Sequence, residues 1–416
     1  MDSLAEDYVK LILALGKHDK SYVDAYYGPA EWDSPNIQPL EQLVSRAADL
    51  YDKLCTIGGS STLASGIEMH RFLYLKKQLL AAKTHASSLL SKAFLSFDEE
   101  ANLMYDANPP HKEEPEFAAL LATLDAKLPK GKNGNETLAE RYASFRTQFV
   151  IPKDRLDSVF QRAIAEAKQQ TQKWISLPPG ENFVVEYVTG KPWSGYNWYK
   201  GQYFSVIQVN VDLPIYIDRA FDLAAHEGYP GHHVYNSLLE QKLFRERGWV
   251  EYCVYPLFSP QSLIAEGTAN FGIEMVFPKL PDRIAFEAEH LFPLAGIDPA
   301  LAQTYYEIEA AVQGLEYCTS EGARMYLDKK LTAEETVDYL VNHMVPPERA
   351  RKRIDFFNAY RSYIINYSLG MDMVRQYVDR RVHQRGANSE EVAQKARWEE
   401  FELLLCQPWI PSMLIQ

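Results

Sequence analysis

The chain has 416 residues, 46% of them hydrophobic and 24% charged, with a net charge of -13 at pH 7. Those proportions describe a soluble globular chain with a large core, and the acidic balance excludes non-specific attraction to phosphate backbones, so no nucleic-acid partner is expected. Four scattered cysteines, Cys55, Cys253, Cys318 and Cys406, form no CxxC pair, which excludes a thiolate zinc site and a dense disulfide framework.

Helices are predicted from about Leu4 to Leu15 and from Leu40 to Leu54, separated by a turn at Gly28-Pro29. The start, Met-Asp-Ser-Leu-Ala-Glu-Asp-Tyr, has no basic region followed by an apolar one. No apolar run reaches the length of a bilayer span. The expectation is a cytoplasmic chain with no membrane partner. A loop is expected over Ile57–Thr62, then long helices from Ser65 to Tyr105. Asn108–His111 and Leu128–Asn135 break the pattern, and helices resume from Glu136 to Trp174 with an interruption at Ile151-Pro152. Leu177–Gly180 closes an N-terminal helical region, residues 1–180.

The character then changes. Phe183–Val188 and Tyr203–Val211 are β-branched and aromatic with no helical period. Gly190, Pro192, Ser194 and Gly195 lie between them as turn residues. A small antiparallel sheet or a long hairpin is expected there. From Asp218 the chain reads as helical to its end, with a capping box at Thr332–Glu335 and a helix starting at Pro346-Pro347. The class is mainly α with a small antiparallel β element, residues 181–416 forming a metal-site region that shares one compact unit with the N-terminal helices around a cleft.

The chemistry concentrates in His226-Glu227-Gly228-Tyr229-Pro230-Gly231-His232-His233. In a helical His-Glu-x-x-His, two histidines four apart reach one zinc and the glutamate faces the water that zinc activates. Here His226 and His232 are six apart, about 9 Å of rise and about 240° of rotation on an unbroken helix. His226 and His233 share a face but stand roughly 10.5 Å apart. Neither pair could hold one ion. Pro230, however, cannot continue a helix, and Gly228 and Gly231 permit unusual backbone angles. The helix is therefore expected to bulge or break across Gly228–Pro230, and two looped-out residues would place His232 where an i+4 histidine lies. A third ligand is expected at Glu266, on a helix reading Gln261–Phe271. Two histidines and a glutamate leave one position open, the catalytic arrangement for Zn2+.

These residues resemble an uncharacterised bacterial family, the domain of unknown function numbered 885. Its hallmark is a His-Glu-x-x-Pro-Gly-His-His run followed by a Glu-Gly-x-Ala helix, here Glu266-Gly267-Thr268-Ala269. The segment Arg361–Gly370 looks like that family's C-terminal Tyr-x-Leu-Gly stretch. The resemblance runs from about Tyr203 to Tyr377, and Thr268 stands where the family often has Trp. The family is similar to helical zinc peptidases of the carboxypeptidase Taq and oligopeptidase groups, so the resemblance implies a large zincin-like domain and peptidase chemistry. It leaves His232 and His233 as alternatives for the second histidine ligand.

The expected function is zinc-dependent hydrolysis of a peptide or small amide. Glu227 would be the general base, and a tyrosine of the C-terminal half would stabilise the oxyanion, Tyr367 first and Tyr363 second. Arg361 would bind a substrate carboxylate, or else form an ordinary ion pair. The strand Phe204–Asn210 would either pack as ordinary sheet or offer an edge to an extended peptide. Two other functions fit the residues less well: hydrolysis of a non-peptide amide or ester, and a helical binding protein with a vestigial site.

Overall fold

The computed structural model describes residues 1–58, 66–131, 134–191 and 193–415. Pro192 and parts of two expected loops, Gly59–Thr62 and Lys132-Asn133, lie outside the described residues.

The molecule is mainly helical, with two small sheets among the described residues. The N-terminal helices run Asp2–Gly16, Leu40–Gly58, Ile67–Ser91 and Phe97–Tyr105, close to the predicted spans. Their buried faces join one continuous hydrophobic cluster that extends from Leu4 to Leu414, so N- and C-terminal halves share a core. Ser96, Thr137 and Thr332 each close a capping box with a glutamate three residues on, which satisfies amides that a helix start leaves unpaired.

The first sheet is an antiparallel pair, β1 (Val23–Tyr26) with β5 (Val254–Pro256). It carries no signal in the sequence: both strands are short, and β5 interrupts a stretch expected to be helical. The second sheet has the order β2 (Asn182–Val188), β4 (Phe204–Asn210), β3 (Gly195–Tyr199). The expected antiparallel element is the β3–β4 pair, while β2 adds to β4 in parallel. The two predicted strands do not form a long hairpin with one another, because the residues between them supply a strand of their own. Gly195 is the first residue of that strand rather than part of a turn. β4 is therefore the centre of its sheet and offers no edge; the exposed edges belong to β2 and β3. Along β4, Ser205, Ile207 and Val209 are buried and alternate with half-buried neighbours, as the period of a strand requires. All four cysteines are free, two of them buried and two half-buried.

Behind β4 lies the motif segment. In front of it the helix Pro260–Val276 crosses the long helix Ile365–Gln384. The crossing is close because it is glycine on glycine: a Cβ on Gly267 would meet the Gly370 carbonyl oxygen at 2.5 Å. Larger residues would force the two helices apart.

Candidate metal centre

The α-helix Ile217–Leu223 widens into a π-turn over Ala224–Gly228 and stops there; a new helix starts at His232. The break falls where Pro230 requires it. Tyr229–Pro230 is a cis peptide bond. Gly231 closes the turn by donating its amide to the Ala225 carbonyl at 2.9 Å. Its α-carbon is so close to the preceding helix that a Cβ would sit 1.9 Å from the His226 carbonyl oxygen, so only glycine fits.

This turn brings His232 back over His226. Their Nε2 atoms are 3.1 Å apart. Glu266 Oε2 lies 3.3 Å from His226 Nε2 and 3.7 Å from His232 Nε2. Two ligands on a tetrahedral zinc with bonds of about 2.0–2.1 Å would stand about 3.3 Å apart, and the three donor atoms form a triangle of that size. Glu266 Oε2 is buried with no hydrogen-bond donor among the described residues, an orphan that a cation would satisfy. The residues present fit a zinc ion.

The surroundings orient the donors. Asn270, one turn beyond Glu266, gives its side-chain amide to the Tyr367 carbonyl at 3.2 Å, so its Oδ1 faces His226 Nδ1 at 3.0 Å. An amide oxygen only accepts, so Nδ1 carries the proton and Nε2 presents its lone pair to the cluster. Tyr363 donates its hydroxyl to Glu266 Oε1 at 2.7 Å. Burial works against charge on Glu266, but the imidazoles of His226 and His232 beside it outweigh that and hold the carboxyl well below its usual range. For His232 burial is likewise outweighed, by Glu266, and its pKa rises to about 9. A metal would replace that proton.

His233, one residue on and so about 100° round the helix, faces the other way. Its Nδ1 meets Ser205 Oγ at 2.8 Å and its Nε2 meets Glu181 Oε2 at 2.9 Å. Both ring nitrogens are occupied, which leaves His232 as the histidine beside His226. Glu227 is buried next to the triangle, its Oε1 4.0 Å from His226 Nε2. Burial pushes its pKa up, against the pull of His226 and His232. Gly195 lets β3 pass directly over it, since a Cβ there would stand 2.8 Å from Glu227 Oε1.

The triangle opens on a cleft of about 780 Å³ lined by Glu227, Tyr363 and Tyr367 and by Gly195, Tyr196 and Asn197 of β3. The sheet edge at the cleft is thus β3, while Phe204–Asn210 packs as ordinary sheet, the first of its two expected alternatives. The Tyr367 hydroxyl, unlike that of Tyr363, has no hydrogen-bond partner among the described residues. Arg361 is engaged elsewhere. It donates Nε to Glu100 Oε2 at 2.5 Å and Nη2 to the Leu95 carbonyl at 3.1 Å, and lies outside the cleft. It ties the N-terminal helix Phe97–Tyr105 to the turn before Tyr363. A substrate carboxylate would have to displace Glu100 to reach it.

Sequence reasoning overlooked Asn270, although its i+4 spacing from Glu266 places both on one face. It also overlooked Arg349 and Arg353, four apart on the helix Pro347–Tyr360 and lining the cleft. Asp24 of β1, half-buried beside the site with Tyr196 as hydrogen-bond donor, carried no local signal at all. Burial lifts its carboxyl to about 6.

No helix of the described residues is long and apolar enough to cross a membrane. No family model and no curated protein matches this chain. Among solved structures the chain is similar to a "putative lipoprotein" from Colwellia psychrerythraea, 14% identical with a TM-score of 0.55, over 90% of this chain and 68% of that one. It is also similar to a "putative lipoprotein of unknown function" from Shewanella oneidensis, 14% identical with a TM-score of 0.46, over 88% of this chain and 73% of that one. The first likeness shows a shared fold. It also corrects the cytoplasmic expectation: the protein sharing the fold is described as a lipoprotein, a class found at membranes or outside the cytoplasm. Acyl chains rather than an apolar helix hold such proteins, so neither composition nor the lack of a spanning helix argues for the cytoplasm.

Proposed function

We propose that this protein is a zinc-dependent hydrolase that cleaves amide bonds, with peptides as its substrate class. The observation that carries the reading is the triangle of His226, His232 and Glu266, with one orphaned carboxylate oxygen, set beside a buried Glu227 in an open cleft. Zinc held by these three residues would polarise a scissile carbonyl and acidify a water molecule. Glu227 takes the proton of the attacking water and hands it to the leaving amine. Its burial raises its basicity, which suits that task at neutral pH. Tyr367 donates its free hydroxyl to the developing oxyanion. Tyr363 and Asn270 position Glu266 and His226 and take no proton themselves.

The test is metal content together with turnover. The purified protein should hold about one zinc per chain, and His226→Ala or Glu266→Ala should remove it. Glu227→Gln keeps size and hydrogen bonding but loses basicity. It should retain zinc and fold, and lose at least about a hundredfold in hydrolysis of any peptide the wild type accepts. Full zinc retention in both ligand variants, or near-normal turnover in Glu227→Gln, would overturn the reading.

A further inference from the structure

The helix Pro347–Tyr360 carries Arg349 and Arg353 one turn apart, and both face the cleft that holds His226, Glu227 and Glu266. The other arginines of that cleft are matched. Arg219 holds Asp222 at 3.2 Å, Arg283 holds Asp222 at 2.8 Å and Glu287 at 2.7 Å, and Arg146 reaches Glu309 at 3.3 Å. Arg349 and Arg353 have no carboxylate within ion-pair distance among the described residues. Arg353 lies over the Phe356 ring, 5.6 Å from its centre. Burial, then the like charges of Arg219, Arg146 and Arg353, holds Arg349 down to about 10. Two half-buried cations without a carboxylate in ion-pair distance are incompletely compensated in the free protein, and an arriving anion relieves that cost. Arg349 also sits in the first turn of a 14-residue helix, whose positive end adds to the attraction.

We propose that Arg349 and Arg353 form a subsite for a substrate carboxylate, so that the cleft takes peptides or amides bearing a free acid group; this rests on the hydrolase function above. Paired guanidinium groups match a carboxylate in fork geometry. The subsite adjoins the metal residues: Arg353 lies 5.6 Å from the Phe356 ring, that ring lies 6.3 Å from the Tyr367 ring, and all three line the cleft that holds Glu266 and Glu227. A phosphoryl dianion would suit the guanidinium pair equally. The same cleft, however, holds Asp222, Glu309 and Glu316, which repel two charges more than one.

The experiment is calorimetric titration of the full, zinc-replete protein with N-acetyl-Gly-Phe, its C-terminal amide and inorganic phosphate, repeated on Arg349→Gln and Arg353→Gln. The acid should bind at least about tenfold tighter than the amide in the wild type. Each substitution should cut that preference to about twofold or less, with zinc content and amide affinity unchanged. Unchanged zinc content separates loss of the arginine from loss of a metal-bound carboxylate. Equal binding of acid and amide by the wild type, or a preference that survives both substitutions, overturns the proposal. Should a variant fail to fold, the wild-type comparison of acid with amide decides. Phosphate binding tighter than the acid, and lost in the variants, would assign the subsite to phosphoryl groups instead. If the wild type prefers the acid yet hydrolyses no peptide, the hydrolase reading falls while the carboxylate subsite stands.

Discussion

The two tyrosines near the triangle are chemically alike and do different work. Tyr363 is committed to Glu266 Oε1. Tyr363→Phe leaves that buried oxygen without its donor and frees the carboxylate to turn. Groups that orient a metal ligand typically carry about 10–100-fold in affinity, so zinc should bind that much more weakly, with the fold intact by circular dichroism. Tyr367→Phe, by contrast, removes a hydroxyl with no partner among the described residues and should leave zinc affinity unchanged. If that hydroxyl meets the oxyanion, kcat should fall about 10²–10³-fold with KM little altered. Competitive zinc titration and steady-state kinetics on the two variants separate the roles. Equal effects of both substitutions on metal affinity would refute the division.

At the scale of elements, three glycines decide whether the site can exist. Gly231 lets the chain double back so that His232 meets His226. Gly195 lets β3 run over Glu227. Gly267 lets the helix carrying Glu266 approach the helix carrying Tyr367. The last contact is backbone against backbone, so neither partner can swing aside. Gly267→Ala is expected to cost about 1–3 kcal/mol of stability through overpacking. It should also weaken zinc binding, because Glu266 is the neighbouring residue and moves with the helix. Chemical denaturation at fixed zinc concentration reads the first effect and metal titration the second. A variant as stable as the wild type would show that the two helices can separate without loss.

Across the whole molecule, the candidate metal site joins parts of the chain far apart in sequence, from Asp24 to Tyr367, within one continuous core. A ligand that binds only the folded state stabilises it by mass action, about 4.1 kcal/mol at a thousand times Kd. The melting temperature should therefore rise with free zinc and drop on chelation. It should become insensitive to both in Glu266→Ala. A melting temperature that ignores zinc in the wild type would mean that the triangle holds no metal.

Local chemistry was enough to determine the helices, their caps, the break at Pro230 and the identity of His226, Glu227 and Glu266 as a candidate cluster. Each of those depends on backbone restrictions or spacings within a few residues. What only the tertiary structure decided depends on partners distant in the chain. His232 and His233 are adjacent and equivalent in sequence, and are told apart because Ser205 and Glu181 claim the second. Arg361 and Arg353 are both plausible anion binders, and are told apart because Glu100, from the N-terminal helices, neutralises the first. β2 and β4 look like a hairpin, yet pair in parallel because the chain between them forms a third strand, β3, which reverses its direction before β4. The pairing of β1 with β5 spans more than half the chain, and no local pattern encodes a contact of that range.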